Sequence, residues 1–274
     1  MVGSLVIVYP TPHQGGELVL RHKGREWEID ASTLTHSQPS TSIAYVAFYS
    51  DIEHEVLKVS SGCRVTLTYN LYLADSTPGA QAPSVVPNLR DILNFQSALH
   101  KLLGSPEFLP HGGTLGFGLA HLYPITFETK LQDMVKYLKG EDAHVYRACQ
   151  ESKLQPSLRM VYDCEEGRGV MLKKVVELAD YSYQETNYIE YLCYELGGTP
   201  VNLSNKTLAR RSDWVQHHRV EKWEQITWVT PFREGNRLRD VSMAYGNDAV
   251  SLEYAYHSPC LCVPVAPASD RVSP

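Results

Sequence analysis

His54 and Arg64 are the residues whose types and spacing point most directly to chemistry, standing ten positions apart on either side of Ser60-Ser-Gly62. A neutral imidazole is a ready ligand for a divalent transition metal, and a forked guanidinium grips a carboxylate through two parallel hydrogen bonds. If the strands flanking Ser60-Ser-Gly62 pair as a hairpin, both side chains project into one cavity. Asp51, Glu53 and Glu55 crowd His54 in the sequence. Alternation along a strand turns Glu53 and Glu55 away from His54, which makes them solvated charges rather than ligands; Asp51 precedes the strand. Beyond Arg64, the residues Val65, Leu67, Tyr69 and Leu71 fall on one face, and Arg64, Thr66, Thr68 and Asn70 on the other. That strand has an apolar side and a polar side, and the polar side either lines a cavity or faces water.

Other clusters read as structural. His257-Ser-Pro-Cys-Leu-Cys262 gathers soft ligands, but a structural zinc site needs four and no second pair of suitable spacing accompanies it, so these are expected to be buried thiols on a strand. His217 and His218, beside Arg219 and Lys222, read as exposed residues, and His121 as structural or as the relic of a second site. Lys206, Arg210 and Arg211 form a basic patch too small to dominate the charge. No GxSxG elbow, P-loop, GxGxxG turn or HExxH occurs.

The elements that must position His54 and Arg64 read as short strands separated by turn residues: 4–9, 17–22, 26–30, 43–49, 55–59 and 64–73. With no helical period between them, they argue for an antiparallel barrel or jelly roll rather than a doubly wound sheet. Residues 74–87, rich in Ser, Pro, Ala and Gly, read as a linker. A helix is predicted over 88–103, a Gly-rich strand over 112–119, and helices near 126–138 and 142–154. Strands return at 158–163, 170–178, 224–229, 250–256 and 261–265. The fold class expected is therefore mostly β with helices, α+β, in which a partial double-stranded β-helix precedes an α+β region.

A chain of 274 residues can bury a sizeable core. Its 25 Lys+Arg against 31 Asp+Glu leave a net charge of −6, which repels phosphate, so no nucleic-acid partner is expected. No apolar run approaches the roughly 20 residues of a membrane span. Six cysteines without a CxxC, and no secretory leader, predict reduced thiols in an intracellular protein, cytoplasmic or nuclear.

The segment from Phe48 to Tyr72, together with the Gly15-Gly16 turn, resembles the fungal prolyl-4-hydroxylase-like branch of the Fe(II)- and 2-oxoglutarate-dependent dioxygenases. Gly116-Phe-Gly-Leu-Ala-His-Leu-Tyr123, Lys139-Gly-Glu-Asp-Ala-His-Val-Tyr-Arg-Ala148 and Ala244-Tyr-Gly-Asn-Asp248 are similar to stretches that accompany that core. The resemblance implies a jelly-roll core in which His54 is the distal metal ligand of a His-x-Asp/Glu…His triad. Arg64 would bind the distal carboxylate of 2-oxoglutarate, with Thr66 adding a hydroxyl contact. It implies Fe(II), 2-oxoglutarate and ascorbate as cofactors, and hydroxylation of a peptidyl or small-molecule C–H bond, with succinate and CO2 as co-products. The domain reading that follows is 1–75 as the C-terminal part of the jelly-roll core, 76–105 as linker and helix, and 106–274 as an α+β region of unassigned role. The family places His-x-Asp on a strand preceding the one that resembles Gly3–Pro10, and no His-x-Asp or His-x-Glu occurs in this sequence. The chain therefore reads as truncated before that motif: a gene model begun at a later methionine, a paralogue without chemistry, or a rebuilt site. The alternative function is an inactive jelly-roll scaffold or binding protein that self-associates through an open sheet edge.

Overall fold

The structure is a computed structural model that describes residues 1–22, 24–36, 42–72, 89–164, 167–177, 188–206, 223–233, 236–245 and 250–271. The predicted linker at 74–87, and His217, His218, Arg210 and Arg211, lie outside the described residues. The chain is mixed α+β, mostly strand, and divides into two compact units, Met1–Ser84 and Val85–Pro274.

Among the described residues unit 1 holds eight strands and a short helix: β1 (Gly3–Val8), β2 (His13–Gly15), β3 (Leu18–His22), β4 (Arg25–Ile29), α1 (Ala31–His36), β5 (Ala44–Tyr49), β6 (Glu53–Val56), β7 (Val59–Gly62) and β8 (Thr66–Leu71). Asp30 starts α1 by accepting the Ser32 amide at 2.9 Å, and the hydrogen bond it accepts from the Ser32 hydroxyl at 2.6 Å, with that amide, holds its carboxyl below the usual range. The strands form two three-stranded antiparallel sheets, β5-β1-β8 and β4-β3-β6, with β2 and β7 paired separately.

Register decides which face is covered. Val6 and Val8 are buried, and they sit opposite Val46 and Ala44 on β5 and opposite Thr68 and Thr66 on β8. The polar side of β8 therefore lies on the same face as Val6 and Val8, where Thr66 is half-buried and Thr68 exposed. Its apolar side points outward: Leu67 and Tyr69 lie opposite Ile7 and Leu5, and Tyr45 across from Ile7 is 72% exposed. In the second sheet the buried Leu20 lies opposite His54 and Trp27, and the other face carries a charged ladder. There Arg21 reaches Glu26 at 2.7 Å, Glu55 at 3.0 Å and Glu53 at 3.7 Å.

Unit 2 comprises α2 (Leu89–Gly104), β9 (Gly113–Gly118), α3 (Leu131–Met134), α4 (Gly140–Glu151), β10 (Ser157–Asp163), β11 (Arg168–Leu172), α5 (Tyr188–Glu190) running into a π turn at Tyr191–Glu195, β12 (Thr199–Asn202), β13 (Ile226–Thr230), β14 (Leu238–Tyr245) and β15 (Val250–Val265). Its sheet runs β12-β11-β10-β15-β9-β13, with β14 beside β15; β13 and β9 pair in parallel, and a parallel bridge joins Val201 to Glu224. The two ends of this path meet. The Glu224 amide donates to the Pro200 carbonyl at 2.9 Å. The Asn202 side chain accepts from the Ile226 amide at 2.6 Å and donates to its carbonyl at 2.7 Å, and Asn205 does the same for Trp228. Two asparagine amides thus stand in for a strand at the seam, which satisfies backbone groups that an open edge would leave unpaired.

The closed sheet has two kinds of surface. Leu158, Met160, Tyr162, Leu172, Leu261 and Val263 pack with Leu131 and Met134 of α3, Cys149 of α4 and Leu99 of α2. Val161, Val201, Ile226, Trp228, Cys260 and Cys262 form a second cluster that includes Met171. In it Cys262 Sγ lies 3.3 Å from Met171 Sδ, although β10 separates their strands, so this is the inner face.

Candidate functional site

β6 and β8 do not pair as the hairpin that the spacing predicts. β6 pairs with β3 in one sheet, β8 pairs with β1 in the other, and the Ser60-Ser61-Gly62 segment is itself strand β7 on β2. The expected hairpin turn is instead a strand, and it lies between β6 in one sheet and β8 in the other.

Arg64 nevertheless comes to the covered side, whereas His54 is exposed. His54 lies across β3 from Leu20, and its ring packs on Phe48 with centroids 4.9 Å apart, which brings a side chain of one sheet to a side chain of the other. Its Nδ1–H donates to the Ile52 carbonyl at 3.1 Å, which leaves Nε2 as the ring nitrogen with a lone pair. A metal-ligating histidine is commonly oriented by such a bond. Glu53 and Glu55 face the other way and are engaged by Arg21, as alternation requires.

Arg64 immediately precedes β8 and is half-buried, and its Nε is buried with no hydrogen-bond partner among the described residues. Burial pushes the guanidinium below its ordinary value. The side chain crosses the Gly15-Gly16 turn: both glycines have positive φ, 74° and 78°, and a Cβ on Gly16 would stand 2.7 Å from Arg64 Cδ. Glycine at position 16 therefore clears the path of the arginine. Thr66 lies opposite the buried Val8 and is half-buried. A wide groove of about 440 Å3 elsewhere in unit 1, lined by His13, Gln14, Ser32 and Thr33, takes in neither His54 nor Arg64.

The residues fit a carboxylate better than they fit iron. A half-buried guanidinium with an orphaned Nε calls for an anion. Around His54, by contrast, no group of three His, Cys, Asp or Glu side chains that could hold a metal ion occurs among the described residues.

In unit 2, Cys260 and Cys262 are buried thiols with Sγ atoms 3.8 Å apart. His121 is buried, with its amide donating to Asp142 at 3.0 Å. Sequence reasoning did not single out Asp142, although it sits in the quoted Lys139–Ala148 stretch. Its carboxylate also accepts from the Ala120 amide at 2.7 Å and the Tyr123 hydroxyl at 2.8 Å, and the same hydroxyl accepts from the Lys139 amide at 2.9 Å. This buried network ties the N-terminus of α4 to the end of β9. No helix among the described residues is long and apolar enough to cross a membrane. Compared with protein-family models, with curated proteins and with solved structures, the chain finds no match in any of the three.

Proposed function

We propose that unit 1 is the co-substrate-binding part of an Fe(II)- and 2-oxoglutarate-dependent dioxygenase of the prolyl-4-hydroxylase type, built on a partial jelly roll. The observation that carries the reading is Arg64, a half-buried guanidinium with an orphaned Nε beside a glycine turn that makes room for it. The strand path supports it: the chain passes from β1 to β3 and β4, back to β5, over to β6 and back to β8, so the two sheets are wound alternately. Arg64 would hold the distal carboxylate of 2-oxoglutarate, Thr66 would add a hydroxyl contact, and His54 would offer Nε2 to the metal. Iron would need two further ligands in addition to that imidazole, and supplied with a His-x-Asp the site would hydroxylate a peptidyl or small-molecule C–H bond. The six unbridged cysteines accord with a reducing, intracellular setting, cytoplasmic or nuclear.

A second reading, a binding scaffold without catalysis, is favoured by the single histidine ligand and by the outward apolar face of β5-β1-β8. Calorimetric titration with 2-oxoglutarate separates the two. The first reading expects saturable binding that weakens at least about tenfold in Arg64→Ala, the scale of a lost charge-assisted pair. Equal binding by the two chains, or none by either, overturns the role of Arg64 and leaves the scaffold. Iron content of the purified chain reports on His54 separately, since His54→Ala should lower it without changing 2-oxoglutarate affinity by as much as Arg64→Ala does.

A further inference from the structure

The inner face of the closed sheet of unit 2 gathers three sulfur atoms. On β15, Cys260 and Cys262 alternate with Leu261 and Val263, so the two thiols point inward while the two apolar side chains pack under the helices. The thiol Sγ atoms are 3.8 Å apart, and Cys262 Sγ lies 3.3 Å from Sδ of Met171, which comes from β11 on the far side of β10. The other buried members of this cluster are Val161, Val201, Ile226 and Trp228, so the sulfurs sit in apolar surroundings. Cys260 is wholly buried and Cys262 nearly so, whereas Met171 is half-buried and gives the group an outer end through which an ion can enter. The hydrogen bond with Cys262, together with burial, pushes the Cys260 thiol well above its ordinary value and holds it protonated until something displaces the proton.

We infer that Cys260, Cys262 and Met171 form a binding site for one soft monovalent metal ion, Cu(I). Thiolate and thioether sulfur together are the ligand set that selects Cu(I). Zinc prefers four ligands, and no group of three His, Cys, Asp or Glu side chains that could hold a metal occurs among the described residues. An ion at the usual metal–thiolate distance of about 2.3 Å from two sulfurs 3.8 Å apart would see them at an angle of about 110°, open enough for a third ligand on the Met171 side. Cysteines two apart on a strand have Cα atoms about 6.6 Å apart, at the far end of the range a disulfide spans, so the strand favours two separate thiolates gripping one ion. Binding sends the two thiol protons to solvent and forms three metal–sulfur bonds with no change of oxidation state. Arg159, opposite Cys260 in the register, carries a charge that favours the Cys260 thiolate. The site belongs to unit 2 alone and does not depend on the reading of Arg64.

Competition for Cu(I) between the whole chain, reduced and anaerobic, and a chromophoric chelator tests it, with Zn(II) as the comparison ion. The expected result is one tightly held Cu(I) per chain that excess Zn(II) does not displace. X-ray absorption of the loaded chain should show three sulfur neighbours at about 2.3 Å and no nitrogen or oxygen. Cys260→Ser and Cys262→Ser should each lower Cu(I) affinity at least about 100-fold, and Met171→Leu about tenfold. Met171→Leu nearly conserves volume, so it separates ligation from packing. Unfolding curves establish that the variants are folded, and where a cysteine variant is not, Met171→Leu and the absorption spectrum of the wild-type chain decide. Cys63→Ser, which removes the exposed thiol of unit 1, should leave the ion in place. No binding of Cu(I), unchanged affinity in a folded Cys260→Ser, Cys262→Ser or Met171→Leu, a nitrogen or oxygen neighbour in the spectrum, displacement by Zn(II), or loss of the ion in Cys63→Ser would each overturn the inference.

Discussion

In unit 2 the strands at the two ends of the sheet find each other through Asn202 and Asn205, whereas in unit 1 each of β4, β5, β6 and β8 pairs on one side only among the described residues. Both units use short strands of alternating character. The closed sheet places its apolar residues on an inner face and under helices, and Val161, Ile226, Cys260 and Leu261 are almost wholly buried. The open pair of sheets puts Arg64 and Thr66 on the covered side and leaves Tyr45, Leu67 and Tyr69 facing out. Alternation along a strand thus fixes that two faces differ, while closure and register decide which one is hidden.

The sharpest way to break the contrast is to open the seam. Asn202 is fully buried and makes three side-chain hydrogen bonds, to Ser204 and to both backbone groups of Ile226. Asn202→Ala should destabilise unit 2 by about 3–4 kcal/mol, because buried backbone groups are left unpaired. Urea unfolding would show this as an earlier transition in unit 2, with that of unit 1 unmoved.

Thiol chemistry should also separate the units. Cys63 in unit 1 is exposed, whereas burial pushes Cys149 up to about 11 and Cys193 up to about 12. Since the thiolate is the nucleophile, iodoacetamide at about pH 8.5 should label Cys63 at least ~100-fold faster than Cys149 or Cys193. Peptide mass mapping over time measures the ratio.

A smaller effect concerns pH. Burial pushes the Asp142 carboxyl above its ordinary value, against the hydrogen bonds from Ala120, His121 and Tyr123. The folded chain then holds that proton more tightly than the unfolded chain. Asp142 therefore contributes stability that is fully present below the ordinary carboxylate range and is lost as pH rises through the folded value. Unfolding free energies of wild type and Asp142→Asn, followed upward from acid pH, should show this fall in the wild type alone. The smallest expected effect is at the outward face of unit 1, where Tyr45→Ser should change stability by less than about 0.5 kcal/mol because the side chain is already solvated. A larger loss in thermal unfolding would mean that Tyr45 is covered.

Much of unit 1 was legible in the sequence because its strands are short, alternate and end at Gly, Pro or Asp. Five of the six predicted runs correspond one to one with β1, β3, β4, β5 and β8 to within two residues. The sixth, 55–59, divides into β6 and β7. The site residues were readable as residue types, but the hairpin was not, because pairing between β6 and β3 is a non-local choice that spacing across a turn does not reveal. In unit 2 the helix expected over 126–138 reduces to α3 and one further short turn. Strands predicted at 250–256 and 261–265 are one strand, β15, running through Pro259. Proline normally ends a ladder, but Ser258-Pro259 falls where β15 changes neighbours, from β14 up to His257 to β9 from Cys260 on. Composition alone carries no sign of such an exchange.

That exchange bears on how the protein is made. β15 is the strand to which β9, β10 and β14 all attach, and Val250 follows Gly118 by about 130 residues. At roughly 5–20 residues per second, some 7–25 s of synthesis would pass between the appearance of β9 and that of its antiparallel partner. Throughout that interval Leu115 and Phe117 lack the strand that buries them, which makes unit 2 of a nascent chain a natural client for chaperones until β15 leaves the ribosome.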